Sequence, residues 1–462
     1  MIRIFRHYVP RSLVLLGTLE FLLLVLAAYA GTMAAWWRIG VVTFNADPHL
    51  AEFLAFAACV LLAMIALGMY HRDSINTLSN SAVKLAVSFV AGFMLLTVVI
   101  FAMPGLTLWR SATLFSFGFA FVFIMGVRAA YLRYGGAELL KRRVLVIGTG
   151  SPAARILELE NGGPRRDFLC VGFVDAESQP PKIDRRHVVS GINSIAMYAR
   201  ERNVDEIVVA LEERRGTLPI NDLMACRMDG IRVSEFSSFW ERETGRVDLA
   251  QLNPSWLVFS DGFPGGTLQA AIKRLFDIAA SLTLLVFSFP LLFLTAVAVK
   301  LDSRGPVFYR QERVGLNGRP FMLLKFRSMT VDAEKDGVPQ WAAVNDARVT
   351  RVGNIIRKTR IDETPQLINV LRGDMSIIGP RPERPFFVEE LRQAIPFYFE
   401  RHRVKPGISG WAQLNYPYGA SVDDAREKFQ YDLYYLKNYS IFLDILVLMQ
   451  TLRVVVWSEG AR

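Results

Sequence analysis

Four long apolar runs crowd the N-terminal part of the chain: Leu13–Trp36, Leu50–Tyr70, Val83–Met103 and Ala112–Val127. A helix needs about 20 apolar residues to cross the hydrocarbon of a bilayer, so each run predicts a transmembrane helix within residues 1–135. The fourth reaches that length only by borrowing Trp109 and Ala129–Leu132. The first is too long for the apolar core of a signal peptide, and no small-residue cleavage site leads into a mature domain. Arg3, Arg6 and Arg11 precede it, which predicts a cytoplasmic N-terminus. Arg128, Arg133, Lys141, Arg142 and Arg143 follow the fourth run, and an even number of crossings returns them to the same side.

The pattern then changes. "RRVLVIGTGSPAARILEL" reads as a buried strand, a glycine turn and a helix, with Val144–Ile147 continuously apolar as in a parallel sheet. "FLCVGFVD" and "VDEIVVAL" predict further strands, so residues 136–262 are expected to form an α/β Rossmann-like domain of the CoA- or nucleotide-binding kind. Gly148 and Gly150 fit a dinucleotide fingerprint loosely, because Ala153 stands where the third glycine belongs and Ala154 follows it. Asp175 ends the second strand, where a ribose-binding acid sits. A lone glycine signature is also what a tight turn under a closely packed helix needs, so nucleotide binding at Gly148, Gly150 and Asp175 stays one of two alternatives. No Y-x-x-x-K pair is present to supply the base of a short-chain dehydrogenase or epimerase.

A fifth apolar run, Ala271–Lys300, is long enough to span. Lys273 and Arg274 lie at its start and Lys300, Arg304, Arg310 and Arg313 at or beyond its end, so both flanks read as cytoplasmic. Pro290 near the middle lacks an N–H and frees the carbonyl of Val286, and Ser288 is placed to help satisfy that break. A kinked spanning helix and a re-entrant helix over 271–300, entering and leaving by one face, both fit.

Composition narrows the class. Hydrophobic residues make up 52% of 462, a membrane-like share. The net charge of +10 suits nucleic acid, anionic membrane lipid or phosphorylated substrates. No nucleic-acid motif appears, so that partner class is set aside. The three cysteines have no C-x-x-C spacing and predict neither disulfides nor a zinc site.

From Lys300 to Thr330, seven Lys or Arg face two acids. Arg310, Arg313, Lys325 and Arg327 are candidates for phosphate oxygens, guanidinium as a fork and ammonium as a point charge. A basic face against anionic lipid would have the same composition. In "RIDETPQL" the adjacent acids Asp362 and Glu363 precede Pro365 and a helical apolar pattern, which predicts a helix start. Such a start favours phosphate. One acid can attack phosphorus and the other hold a metal; equally, both can complement a helix dipole. "GDMSIIGPRPERP" adds Arg381 and Arg384, and "VKPGISGWAQLNYPYG" adds Trp411, Tyr416 and Tyr418 as either a base-stacking platform or a packed loop. "SIFLDILVLMQTLRVVVW" carries Asp444, Gln450 and Arg453 and predicts a surface-lying helix.

The motifs "KRLFDIAAS", "GPVFYRQERVG", "FMLLKFRSM", "RKTRIDETPQLINVLRGDMSIIGPRPERP" and "KPGISGWAQ" occur in the order of the bacterial sugar transferases, and the stretch from Leu268 onward resembles these monotopic phosphoglycosyl transferases. The whole chain resembles their large exopolysaccharide-initiating type. The opening "MIRIFRHYVPRSLVLL" is similar to members linked to exosortase systems. The resemblance implies a catalytic domain over 263–462, in the bacterial inner membrane and facing the cytoplasm. It implies transfer of a hexose-1-phosphate from a UDP-sugar to undecaprenyl phosphate with release of UMP. Asp362 is then the nucleophile, Glu363 the Mg²⁺ ligand, and Pro290 the break of a re-entrant helix. Lys325, Arg327, Arg360 and Arg381 are the expected phosphate contacts, and a homodimer is compatible. Thr364 departs from the leucine usual in the family, which puts packing at the helix start in question. The competing classes are a membrane-tethered nucleotide-sugar oxidoreductase or epimerase and a non-catalytic scaffold.

Overall fold

A computed structural model describes residues 2–4, 7–9, 11–40, 49–70, 78–103, 105–106, 109–133, 141–162, 167–176, 180–189, 191–192, 194–212, 218–251, 266–330, 348–417, 419 and 421–457. Two compact units divide the chain, Tyr8–Thr244 with Met1–Arg3 and Gly245–Arg462 with Ile4–His7.

Four apolar helices open the first unit: α1 Arg11–Arg38, α2 Leu50–Ala66, α3 Leu78–Ala102 and α4 Arg110–Arg133. The fourth run, short in sequence, is extended by Arg110 and Ser111 and by Arg128–Arg133 into 24 residues. Helix α2 has 17 residues, the lower bound for a span. Small residues let the helices approach: a Cβ on Gly31 of α1 would lie 2.4 Å from the Ser116 nitrogen of α4.

Charge is buried inside this bundle. Arg128 of α4 donates from Nε to Glu20 Oε1 of α1 at 2.8 Å and from Nη1 to the Met69 carbonyl at 3.1 Å. The Tyr70 hydroxyl donates to the other Glu20 oxygen. Both ions are almost fully enclosed. Arg128 is therefore not a free flanking cation, as its position after the fourth run suggests. Arg142, counted with it, is likewise paired with Glu206 and Glu243.

In the same unit a five-stranded parallel sheet is built from β1 Arg142–Ile147, β2 Phe168–Val174, β3 Val188–Val189, β4 Glu206–Val209 and β5 Arg232–Glu235, in spatial order β3-β2-β1-β4-β5. Helix α5, Ser151–Asn161, follows the glycine turn with Pro152 in its first turn, where the missing N–H costs nothing. Helices α6 Ile195–Glu201, α7 Ile220–Met228 and α8 Phe236–Thr244 complete it.

The second unit starts with α9, Thr267–Asp302, a 36-residue helix that contains Pro290. Ser288 does not serve the carbonyl freed by the proline; its hydroxyl bonds the Leu284 carbonyl one turn back at 2.6 Å. The middle of α9 is bare, with Val286, Phe287, Phe289 and Leu294 all strongly exposed. Both ends are tied to the rest of the unit. Near its start Lys273 pairs with Asp277 and Asp444, Asp277 accepts from Ser376 and the Ile377 N–H, and Arg274 donates to the carbonyls of Val370 and Leu371. At its end Asp302 accepts from the Val352 N–H at 3.0 Å.

An antiparallel hairpin follows, β6 Phe308–Val314 with β7 Pro320–Phe326. Then come α10 Arg351–Lys358, α11 Gln366–Arg372, β8 Ser376–Ile378, α12 Pro385–Ala394, β9 Gly407–Ser409 parallel to β8, α13 Trp411–Asn415, α14 Val422–Lys437 and α15 Ile441–Trp457. Leu367, Val370, Met375, Ile377, Phe429 and Leu433 lie in its core. Helix α15 packs one face inward, with Leu443 and Val447 in the core and buried Asp444 accepting from Tyr435 at 2.7 Å, while Ile445 and Leu452 stay exposed. With these long apolar helices, the chain is a membrane protein.

The Glu20–Arg128 pair generates a prediction. Glu20→Ala leaves an uncompensated buried guanidinium and is expected to destabilise the bundle by about 3–5 kcal/mol, whereas Glu20→Leu with Arg128→Leu removes both charges and costs far less. Thermal inactivation in detergent checks this; equal losses in the single and double variants would contradict it.

Candidate active site

The dyad is positioned by a break between two short helices. Helix α10 is capped by Thr350, whose hydroxyl accepts from the Gly353 N–H at 2.9 Å. Arg360 then takes a left-handed conformation with φ of 59°, uncommon for a residue with a Cβ, and turns the chain. Ile361–Glu363 form a single 3₁₀ turn, and α11 begins only at Gln366, after Pro365. The acid pair therefore precedes the helix start instead of forming its first turn. Thr364 closes the turn by donating its hydroxyl to the Ile361 carbonyl, a bond leucine cannot make.

Asn369 of α11 fixes this segment to β7. Its side-chain oxygen accepts from the Leu324 N–H at 3.0 Å and its nitrogen donates to the Met322 carbonyl at 2.8 Å, as a neighbouring strand would. Lys325 is the next residue of β7, so the pairing sets its height against the acids. A polar residue on the apolar face of "QLINVL" was the sequence signal for this role.

Glu363 is buried and its Oε1 accepts from both Lys325 Nζ at 3.0 Å and Arg381 Nη2 at 2.9 Å. Arg360 Nη1 lies 3.9 Å from Oε2. Burial raises the Glu363 pKa, but Arg381, Lys325 and Arg360 outweigh it and hold the carboxyl well below the usual range. Asp362 is equally buried, yet among the described residues its carboxylate accepts no hydrogen bond. Burial and the charge of Glu363 push it up to about 6, against the opposing pull of Lys325, Arg360 and Arg357. Burial also lowers the Lys325 pKa, with Glu363 opposing. Two adjacent carboxyls thus differ in role: one is an anion held at a single oxygen by two cations, the other a group without a hydrogen bond that ionises near neutrality.

Lys325, Arg360 and Arg381 converge on the acids; the fourth expected phosphate contact does not. Arg327 is buried and donates to the carbonyl of Val299 in the last turn of α9 at 3.4 Å and to those of Ser303 at 2.7 Å and Arg304 at 2.6 Å just beyond it. Orphan carbonyls at a helix C-terminus need such donors. Arg313 is also engaged by backbone, donating to the Pro382 carbonyl at 2.9 Å. Trp411 is a core residue, stacked on Tyr434 at 5.8 Å and donating to the Gly245 carbonyl, which is a packed-loop role. Tyr416 donates to Asp424, and Tyr418 lies outside the described residues.

Gly148, Gly150 and Asp175 belong to the other unit. Gly148 has a φ of 121°, and a Cβ there would meet the Ala210 carbonyl at 2.5 Å. Glu212 crosses the turn at Gly150, accepting from the Ser151 N–H at 2.7 Å and from Lys182 at 2.9 Å. Asp175 accepts from the Thr149 hydroxyl at 3.2 Å. Both glycines are thus explained by close approach of the chain to itself.

Among the described residues no cluster of three or more His, Cys, Asp or Glu side chains is gathered as a protein cage for a metal. Mg²⁺ seldom needs one, taking one or two carboxylates and completing its shell with water and substrate phosphate. Asp362 and the Oε2 of Glu363 fit that habit; Oε1 is already taken by two cations.

Residues 268–458 match the family model described as bacterial sugar transferase, and residues 65–220 match one described as CoA-binding domain. A UDP-N-acetylgalactosamine-undecaprenyl-phosphate N-acetylgalactosaminephosphotransferase from Aeromonas hydrophila is 46% identical over 240 residues, 52% of this chain and 56% of that protein. An undecaprenyl-phosphate glucose phosphotransferase from Komagataeibacter xylinus is 35% identical over 329 residues, 70% of this chain and 60% of that protein. A UDP-glucose:undecaprenyl-phosphate glucose-1-phosphate transferase from Klebsiella pneumoniae is 34% identical over 319 residues, 67% of each chain. The chain spans little more than half the length of the first two. With the core motifs, the paired acids and these matches in agreement, the chain belongs to the bacterial sugar transferase family.

Proposed function

We propose that the protein transfers a hexose-1-phosphate from a UDP-sugar to undecaprenyl phosphate and releases UMP. The observation that carries this is an unpaired, ionisable Asp362 beside a Glu363 locked by Lys325 and Arg381. An Asp362 oxygen attacks the β-phosphorus of the UDP-sugar in line, the bond to the bridging oxygen breaks, and UMP leaves with the electron pair. An oxygen of the lipid phosphate then attacks the aspartyl phosphosugar and returns the carboxylate. Lys325, Arg360 and Arg381 hold phosphate oxygens, which keeps an anionic nucleophile from being repelled by an anionic target. Mg²⁺ held on Glu363 would neutralise diphosphate charge. The names of the relatives favour glucose or N-acetylgalactosamine phosphate as the transferred group.

The catalytic domain, 263–462, acts at the cytoplasmic face of the inner membrane, with α9 entering and leaving by that face. Tethering of both ends of α9 to one polar unit, with a bare apolar middle, supports this over a full crossing. The middle domain, 136–262, is Rossmann-like, a reading supported by its parallel strand order, and serves a structural or regulatory role. The oxidoreductase alternative has no support, since Glu212 occupies the turn where a cofactor phosphate would bind.

In a panel of UDP-sugars, purified protein is expected to release UMP in sustained turnover only with polyprenol phosphate present and without NAD. Asp362→Asn should reduce that to background; retained turnover would remove Asp362 from the chemistry. Because the anion is the nucleophile, the rate should rise with pH through an apparent pKa near 6. Glu363→Gln removes the negative neighbour and should move the residual activity's acid limb to lower pH, so an unmoved or raised limb counts against the coupling. For topology, Met228→Cys and Lys358→Cys in a cysteine-free background should both resist an impermeant thiol reagent in intact cells, while Ile39→Cys should react. Labelling at Lys358→Cys alone of the first two would mean that α9 crosses.

A further inference from the structure

The loop Gly379–Pro385, "GPRPERP", carries Arg381 to Glu363 and contains three prolines that cannot donate hydrogen bonds. Four of its carbonyls in succession are nevertheless taken. Pro380 accepts from the Gly407 N–H at 2.9 Å, Arg381 from Arg401 Nη2 at 3.0 Å, Pro382 from Arg313 Nη1 at 2.9 Å and Glu383 from the Val314 N–H at 2.9 Å. Four successive carbonyls are therefore held from four different residues.

The Arg401 bond is unlike the two backbone bonds. Arg401 and Asp432 are both buried, 6% and 2% exposed, so neither charge is there for solvent. Asp432 Oδ2 accepts from Arg401 Nε at 3.1 Å and lies 2.8 Å from Nη2, while Nη1 donates to the Tyr398 hydroxyl at 2.6 Å. Asp432 and Tyr398 already give this guanidinium its counter-charge and a second acceptor. Its remaining direction is spent on the backbone of the residue whose side chain meets the dyad. A planar fork can hold a carboxylate and a carbonyl together, which a lysine ammonium cannot do in the same geometry.

We infer that Arg401, anchored by Asp432, is a positioning residue for the transferase reaction. It fixes the main chain at Arg381, and so the guanidinium that holds Glu363 and receives substrate phosphate. No hydrogen bond of Arg401 reaches either acid, so its effect passes through Arg381. This rests on the transferase reading above.

The test uses full-length protein in detergent, with UDP-glucose and UDP-N-acetylgalactosamine as probes and no lipid acceptor, and reads UMP release in a single turnover. Arg401→Lys keeps a cation beside Asp432. It should leave the amplitude near that of the wild type and slow the rate constant by about tenfold or more, the scale expected from a sub-ångström misplacement. In an Arg381→Ala background the same change should add less than about twofold, because residues acting through one another are not additive. Asp432→Asn should repeat both results. A purely structural role would lower the amplitude, the folded fraction, and leave the rate constant of the remainder unchanged, overturning the inference. So would a full additional loss in the Arg381→Ala background. Absence of UMP release from the wild type with either sugar would instead sink the transferase reading and this inference with it. A normal wild type with a normal Arg401→Lys sinks the inference alone.

Discussion

A buried carboxylate stays ionised only if cations meet it, and Glu363 meets Lys325 and Arg381 on a single oxygen. The rest of the site follows from that. The fixed charge of Glu363 adds to burial in raising Asp362 to about 6, and the cations it engages are the ones a diphosphate also needs. The sign for stability is clear. Asp362 has a folded pKa above its unfolded one, so its contribution is present below about 4 and lost as pH rises through about 6. The protein gives up stability over the interval in which it gains its anion, as sites built to react do.

Two strands of architecture serve this pair. Asn369 locks α11 to β7 and brings Lys325 into place, while the carbonyl clamps on "GPRPERP" bring Arg381. Elsewhere the same chemistry is used on helix ends. Arg274 holds the last carbonyls of α11, and Arg327 those at the end of α9. Arg274, Arg313, Arg327 and Arg401 therefore spend donors on the chain's own backbone. Guanidinium suits both tasks because its donors form a rigid fork.

How much was legible follows the range of each interaction. The four N-terminal helices and the strand–turn–helix at Gly148 are written in local periodicity, and the structure has them where the pattern put them. The adjacency of Asp362 and Glu363 is visible in sequence, but their different environments are not, since those come from β7 and from the loop after β8. Pro365 marks the start of α11 in sequence and in structure, whereas the left-handed Arg360 that diverts the chain into a 3₁₀ turn carrying both acids has no local signal. Arg327 and Arg128 look like free cations because a sequence shows a charge and not the carbonyl or carboxylate that takes it. Arg401 and Asp432, 31 residues apart, carry no local signal at all.

The division of labour within the acid pair is the centre of this account, and intact-protein mass spectrometry tests it most directly. Mixed with a UDP-sugar that supports turnover and no lipid acceptor, the wild type should gain the mass of one hexose phosphate. That mass should map to the peptide containing Asp362, discharge on adding polyprenol phosphate, and never form on Asp362→Asn. An adduct on Asp362→Asn, or lipid product made by a wild type that never carries the adduct, would contradict it.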